Sequence, residues 1–244
     1  MMVRLGNFLF RYRNTLFPLV YLLLFLKSPP VFDGIYPPLL LGLGVAVGGQ
    51  LIRAVAIGLD YIVRGGKNRR VYAEELVTGG LFSHCRNPLY LGNFLILVGV
   101  GIASNSRIFM AIGIPFFIVA YAAIIRAEEN FLRNKFGRAF EEYCGRVNRI
   151  IPNLSGIRGT LSGMKFNWPQ LVTAEYGSAF TWIAAMSLVT LKNLWVNDQG
   201  PSHPGLVYTA WSGLGVALLL YLLARFLKKS GILNPSQVRK PSAK

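Results

Sequence analysis

The feature that most constrains this chain is that its apolar residues arrive in long runs instead of short alternating patterns. Stretches from about Tyr36 to Val63, Pro88 to Ala103, Ile108 to Ile125, Ser178 to Val196 and Leu206 to Leu227 carry few charges. A helix crossing the hydrocarbon core needs about 20 mostly apolar residues, because no water is there to satisfy backbone N–H and C=O groups. A further stretch, Leu16 to Leu26, reaches back through Phe8 and Phe10 but is interrupted by Arg11 and Arg13. No small-residue cleavage site follows Leu26, so this segment reads as a retained anchor and not as a signal peptide. With 53% hydrophobic and only 15% charged residues, the expected fold class is all-α. It is a polytopic transmembrane helix bundle of about six spans, with residues 1–244 forming one transmembrane domain.

Charge predicts the orientation. Lys and Arg concentrate in cytoplasmic connections. Here they gather before the first span (Arg4, Arg11, Arg13), between the second and third (Arg64, Lys67, Arg69, Arg70, Arg86), between the fourth and fifth, and in the tail. The alternate connections hold only Lys27 and Arg107. Both termini are therefore expected in the cytoplasm. The net charge of +16 would raise nucleic-acid binding in a soluble protein. Topology and attraction to an anionic leaflet account for it here, and no recognition motif accompanies it, so no nucleic-acid partner is expected. Cys85 and Cys144 fall on the inferred cytoplasmic side, where no disulfide is expected.

Two basic connections carry the polar chemistry. The first runs from Thr78 to Asn93 and includes Gly79, Gly80, His84, Arg86, Asn87, Pro88, Tyr90 and Gly92. Pro88 suits a first helical position, and the free N–H groups beyond it can hold an anionic group. The bland alternative is an ordinary capped helix start with an interfacial tyrosine. The second runs from Arg126 to Tyr143 and on to Pro152. Leu132, Phe136, Phe140, Tyr143 and Val147 recur at three-to-four-residue intervals, predicting a cytoplasmic amphipathic helix segment with a bend at Gly137. Arg126, Glu129 and Arg133 share one helical face, where a surface ion-pair ladder is the plain reading. Glu128 points elsewhere.

Taken together, residues 78–152 resemble the isoprenylcysteine carboxyl methyltransferase and phospholipid methyltransferase family of membrane enzymes. That family's Arg-His-Pro-x-Tyr-x-Gly segment is matched by Arg86, Pro88, Tyr90 and Gly92. Its later Glu-Glu pair, Phe-Gly, tyrosine and Arg-Val-x-Arg-x-x-Pro close are matched by Glu128, Glu129, Phe136, Gly137, Tyr143, Arg146, Val147, Arg149 and Pro152. Asn87 stands where the family usually has His, Phe140 where Tyr is common, and Asn148 in place of a frequent Pro. Asn can still hydrogen-bond a cofactor but cannot become cationic.

The resemblance implies transfer of a methyl group from S-adenosylmethionine to a lipid-like or isoprenoid acceptor bearing a carboxylate, amine or thiol. By it, His84, Arg86, Asn87, Tyr90, Gly92, Glu128 and Glu129 shape the cofactor pocket. Arg146 and Arg149 orient an anionic acceptor, with Glu129 and Arg146 nearest the reaction. Two rivals stand beside this reading: an NADPH-dependent sterol or enone reductase, which closes on a related cytoplasmic segment, and a non-catalytic lipid-binding relative, which Asn87 favours.

Arg53 lies inside the second span, where a charge costs roughly 3 kcal/mol unless it meets a partner or cavity. It either joins a ladder of Ile57, Asp60 and Arg64 facing the bundle and contributes to substrate binding, or snorkels to the cytoplasmic surface. Lys192, near the outer end of the fifth span, is expected to snorkel outward. The glycines of Gly42-Leu43-Gly44, Gly48-Gly49, Gly99-Val100-Gly101 and Gly213-Leu214-Gly215 sit within spans and predict close helix packing, not a nucleotide loop.

Overall fold

The computed structural model describes residues 1–59, 64–67, 70–163, 166–196 and 200–233. Helix α1 (Met2–Tyr21) tightens into a short turn at Leu22–Phe25, and α2 spans Tyr36–Leu59. After α2 comes a two-stranded antiparallel ribbon, Arg64–Lys67 with Arg70–Ala73. Helix α3 is Pro88–Ser104, and α4 (Ile114–Phe136) continues from a wide turn at Phe109–Gly113. Then follow α5 (Arg138–Arg146), α6 (Ile157–Gly163), α7 (Trp168–Val196) and α8 (Pro204–Lys229).

Four of these are long and apolar enough to cross a membrane: Tyr36–Leu59, Phe109–Phe136, Trp168–Val196 and Pro204–Lys229. The chain is thus an integral membrane protein. The other two expected spans differ for visible reasons. Helix α1 carries Arg4, Arg11 and Arg13, and α3, though uncharged, has only 17 residues. Helix α7 starts ten residues ahead of the Ser178 boundary read from hydropathy, because Thr173 and Glu175, polar on paper, are buried in the bundle.

The seam between α2 and α3 explains the glycines. A Cβ at Gly99 would stand 2.5 Å from the Gly42 carbonyl oxygen, and one at Gly49 would stand 2.6 Å from that of Gly92. The two backbones therefore touch along two helical turns, as small residues allow in membranes. Gly44 and Gly48, by contrast, face open space.

The ends of the bundle are tied separately. At one end, Asn167 N–H donates to the Gly58 carbonyl at 2.7 Å and Lys228 to that of Thr173 at 2.9 Å. At the other, Lys192 turns inward and does not snorkel outward. Its ammonium donates to the Ser104 carbonyl at 2.9 Å and to Leu24 at 3.2 Å, while Asn193 donates to Ala103 at 2.8 Å. The last carbonyls of α3 have no intrahelical partners, and a lysine brings three donors to them.

Candidate functional site

The site lies where the start of α3 meets the last turns of α4. Gly80, at φ 55°, makes the tight turn that leads through Ser83 to Asn87, and Pro88 opens α3 at its first position. The segment after α5 then folds back over this start. The Arg86 N–H donates to the Asn148 carbonyl at 2.9 Å, and the Asn153 N–H to that of His84 at 2.9 Å. The Asn87 amide donates to the Arg149 carbonyl at 3.1 Å, and the Tyr143 hydroxyl to that of Phe82 at 2.6 Å. The two motif segments, about 60 residues apart in sequence, thus form one strap-and-socket unit.

Helix α4 places the two acidic residues in this socket, both buried. Adjacent helical positions point about 100° apart, which resolves how one pair serves two directions. Glu128 accepts from the Tyr90 hydroxyl at 2.7 Å. Glu129 is paired with two guanidiniums: Arg86 at 3.2 Å and Arg149 at 2.9 Å, whose Nε also donates to it. The surface ladder of Arg126, Glu129 and Arg133 does not form; Arg133 stands 3.9 Å from Glu141 on α5 instead. Arg86 is buried, whereas the Arg149 side chain is 47% exposed, so the cluster opens to its surroundings at one corner. The hydrogen bond from Arg149 to Glu129 holds its guanidinium above its ordinary value. Beneath the strap, the Cys85 thiol donates to the Ile150 carbonyl at 3.0 Å. Burial pushes this thiol up, against smaller opposing effects of the Asn87 backbone and the Arg86 charge.

Gly137, at φ 51°, ends α4. Beyond it, Phe140 and Tyr143 of α5 pack with Leu132 and Ala73, with Phe136 and Val147 against the edge of this cluster. The periodic apolar residues thus brace α5 against the last turns of α4 and the end of the ribbon.

Of the residues singled out from sequence, Arg86, Asn87, Tyr90, Glu128, Glu129 and Arg149 come together. Three others stand apart. His84 is engaged at both ring nitrogens, with the Asn153 carbonyl at 2.6 Å and the Thr160 hydroxyl at 2.8 Å. Gly92 faces α2, where a Cβ would stand 2.5 Å from the Arg53 side chain. Arg146 is exposed, its guanidinium donating to the Glu142 carbonyl at 3.4 Å.

Asp60, the acid of the expected ladder, lies outside the described residues, and Arg53 does not snorkel. It is buried against Glu175 of α7, with Nη2 2.5 Å from Oε1 and Nε donating to Oε2 at 2.9 Å. Sequence reasoning missed Glu175 because a hydropathy boundary at Ser178 left it in a loop. Extending that span one turn backward would have set an acid against the unpaired arginine.

Known proteins share sequence with much of this region. Residues 40–139 match the family model described as phospholipid methyltransferase. Over 159 residues the chain is 35% identical to the cobalt-zinc-cadmium resistance protein CzcN of Cupriavidus metallidurans, covering 64% of this chain and 70% of that protein. It is 40% identical over 86 residues to the nickel-cobalt-cadmium resistance protein NccN of Alcaligenes xylosoxydans xylosoxydans, covering 35% of this chain and 40% of that one. Against protein-S-isoprenylcysteine O-methyltransferase B of Arabidopsis thaliana the identity is 30% over 119 residues, 46% of this chain and 57% of that protein. No solved structure matches significantly. With the matched stretch carrying both the Arg86–Gly92 segment and the Glu128–Glu129 pair, this chain belongs to the isoprenylcysteine carboxyl methyltransferase and phospholipid methyltransferase family of integral membrane proteins.

Proposed function

We propose that this protein is an S-adenosylmethionine-dependent methyltransferase that modifies a lipid-like or isoprenoid acceptor, with the residue 78–152 region as its catalytic part. The observation that carries the reading is the pair of buried carboxylates, Glu128 and Glu129, set beside two guanidiniums at the foot of α3. Buried charges are kept out of water at a cost and tend to mark functional sites.

The donor set fits the cofactor's chemistry. S-adenosylmethionine supplies a methyl already activated on a sulfonium, and it also carries an ammonium, a carboxylate and ribose hydroxyls. Glu128, fixed by Tyr90, suits the ammonium or the ribose hydroxyls. Arg86 and Arg149 suit its carboxylate, with Glu129 balancing their charge; Asn87 and His84 support this pocket by holding the strap in place, while Gly92 serves the seam with α2. Arg146, exposed at the rim, is assigned to an anionic acceptor headgroup, and Glu129 is the acid assigned nearest the transferred methyl. These residues contribute chiefly orientation, which supplies about 7 to 11 kcal/mol in favourable cases. A carboxylate acceptor needs no base, whereas an ammonium acceptor must first lose a proton.

In this reading α1 and α3 cross the membrane with the four longer helices, giving six spans. The end bearing the site, and both termini, face the cytoplasm, as the distribution of Lys and Arg supports. The bacterial relatives are named for metal resistance. Among the described residues no group of three or more His, Cys, Asp or Glu gathers that could hold a metal ion, and the proposal rests on methyl transfer alone.

Calorimetric titration of the detergent-purified chain with S-adenosylhomocysteine tests the proposal. Saturable binding that is lost in the Glu128→Gln, Glu129→Gln double variant is expected. A folded protein that binds NADPH and ignores S-adenosylhomocysteine would overturn it in favour of a reductase; a folded protein that binds neither would point to a non-catalytic relative.

A further inference from the structure

A second polar cluster lies deeper, between α2, α3 and α7. Arg53 and Glu175 are joined by two contacts. Gln50 donates to Glu175 at 3.0 Å, Trp182 donates to Gln50 at 2.9 Å, and the Ser178 hydroxyl accepts from Arg53 at 3.4 Å. Asn93 of α3 accepts from Arg53 through Oδ1. Its amide nitrogen makes no hydrogen bond among the described residues, and the residue is half-buried. Docking α7 does not call for such a cluster. An apolar substitute for a buried ion pair is often at least as stable, and α7 is already tied at its two ends by Asn167, Lys192 and Asn193. Ionisable residues inside a membrane domain more often serve a polar guest.

Position tells which guest. Asn93 stands one turn, about 4.5 Å of rise, beyond Tyr90 on α3, and Tyr90 holds Glu128. Glu175 fixes Arg53, whose stem passes over Gly92 where no Cβ stands in its way; Arg53 in turn fixes the Asn93 side-chain carbonyl. The amide N–H groups beside this guanidinium are left without a hydrogen bond among the described residues.

Resting on the methyltransferase reading, we propose that α7 completes the acceptor side of the site. Through Glu175 and Arg53 it presents the Asn93 amide as a donor to an anionic oxygen headgroup, a carboxylate or a phosphate, of a lipid-like acceptor. Asn93 is the binding residue; Arg53 and Glu175 are positioning residues.

The test is binding of three matched probes to the full chain saturated with S-adenosylhomocysteine in dodecyl maltoside: N-acetyl-S-farnesylcysteine, farnesyl phosphate and farnesylamine. At least one oxygen-bearing probe is expected to bind, which distinguishes carboxylate from phosphate, and farnesylamine is expected to bind more weakly. Asn93→Leu removes the donor without adding a charge, and it should weaken binding on the order of tenfold with S-adenosylhomocysteine affinity held. A purely structural Asn93 would leave probe binding in Asn93→Leu unchanged, and that result overturns the proposal. So does failure of both oxygen-bearing probes to bind. Glu175→Asp, which keeps the charge, should bind the probe better than Glu175→Leu, and equal binding by the two would remove the positioning role. If probes bind through Asn93 but S-adenosylhomocysteine does not bind at all, the methyltransferase reading fails and the headgroup site stands.

Discussion

Glu129 and Glu175 are both buried acids neutralised by arginine, yet the protein holds them in opposite ways. Glu129 takes two guanidiniums, one buried and one 47% exposed on a strap. Glu175 takes one guanidinium in two contacts, and Gln50 closes the same carboxylate. The first cluster has a partner that can swing away without unfolding a helix, so it can admit a ligand. In the second, every partner of the acid sits on a spanning helix. Polar groups that can move belong at the bundle's end, where water is at hand. Those deeper are locked, because an unpaired charge there has no alternative partner.

Removing the locked partner should have the largest effect. Arg53→Leu leaves Glu175 unneutralised and should cost about 3 to 5 kcal/mol of stability; the Arg53→Leu, Glu175→Leu double variant should recover most of it in thermal unfolding followed in detergent. If the double variant is as unstable as the single, the pair is not held as described.

Gly92→Ala comes next. Its new methyl would stand 2.5 Å from the Arg53 side chain and 2.7 Å from the Gly49 carbonyl oxygen, an overpacking worth roughly 1 to 3 kcal/mol. The same unfolding assay should show that loss, and parallel calorimetry should show little change in S-adenosylhomocysteine affinity. A large change in affinity with stability intact would assign Gly92 to the cofactor pocket and blur the separation of the two clusters.

Arg149→Ala should cost about 1 kcal/mol or less, since half-exposed ion pairs are screened, and the difference from wild type should shrink as salt is raised. A salt-independent loss of several kcal/mol would mean that the strap is as locked as α7.

The smallest effect concerns Cys85, under that strap. Its folded pKa is raised by burial, so the stabilising preference for the neutral thiol is fully present below the unfolded value. It is lost as pH rises beyond about 8.5. Wild type should therefore lose stability in alkali that Cys85→Ala does not.

The legibility of these regions follows from how local their physics is. The helices α2, α4, α7 and α8 were readable because burying backbone in lipid demands long apolar runs, a property of contiguous residues. The Arg86–Gly92 and Glu128–Glu129 segments were readable as a family pattern, but their meeting was not. Asn148, Arg149 and Asn153 reach the start of α3 by backbone hydrogen bonds that no side-chain spacing announces. Lys192 was misjudged because the buried carbonyls of Leu24 and Ser104, which it binds, come from distant segments.

The sequence by itself determined that this is a helical membrane protein of the methyltransferase family, because hydropathy and motif spacing are carried by neighbouring residues. Only the tertiary structure decided that Glu128 and Glu129 face different partners and that Glu175 of α7 answers Arg53 of α2. Those pairings join residues up to 122 positions apart, and the low dielectric of a packed bundle, which makes an unpaired charge costly, acts only once the helices have come together.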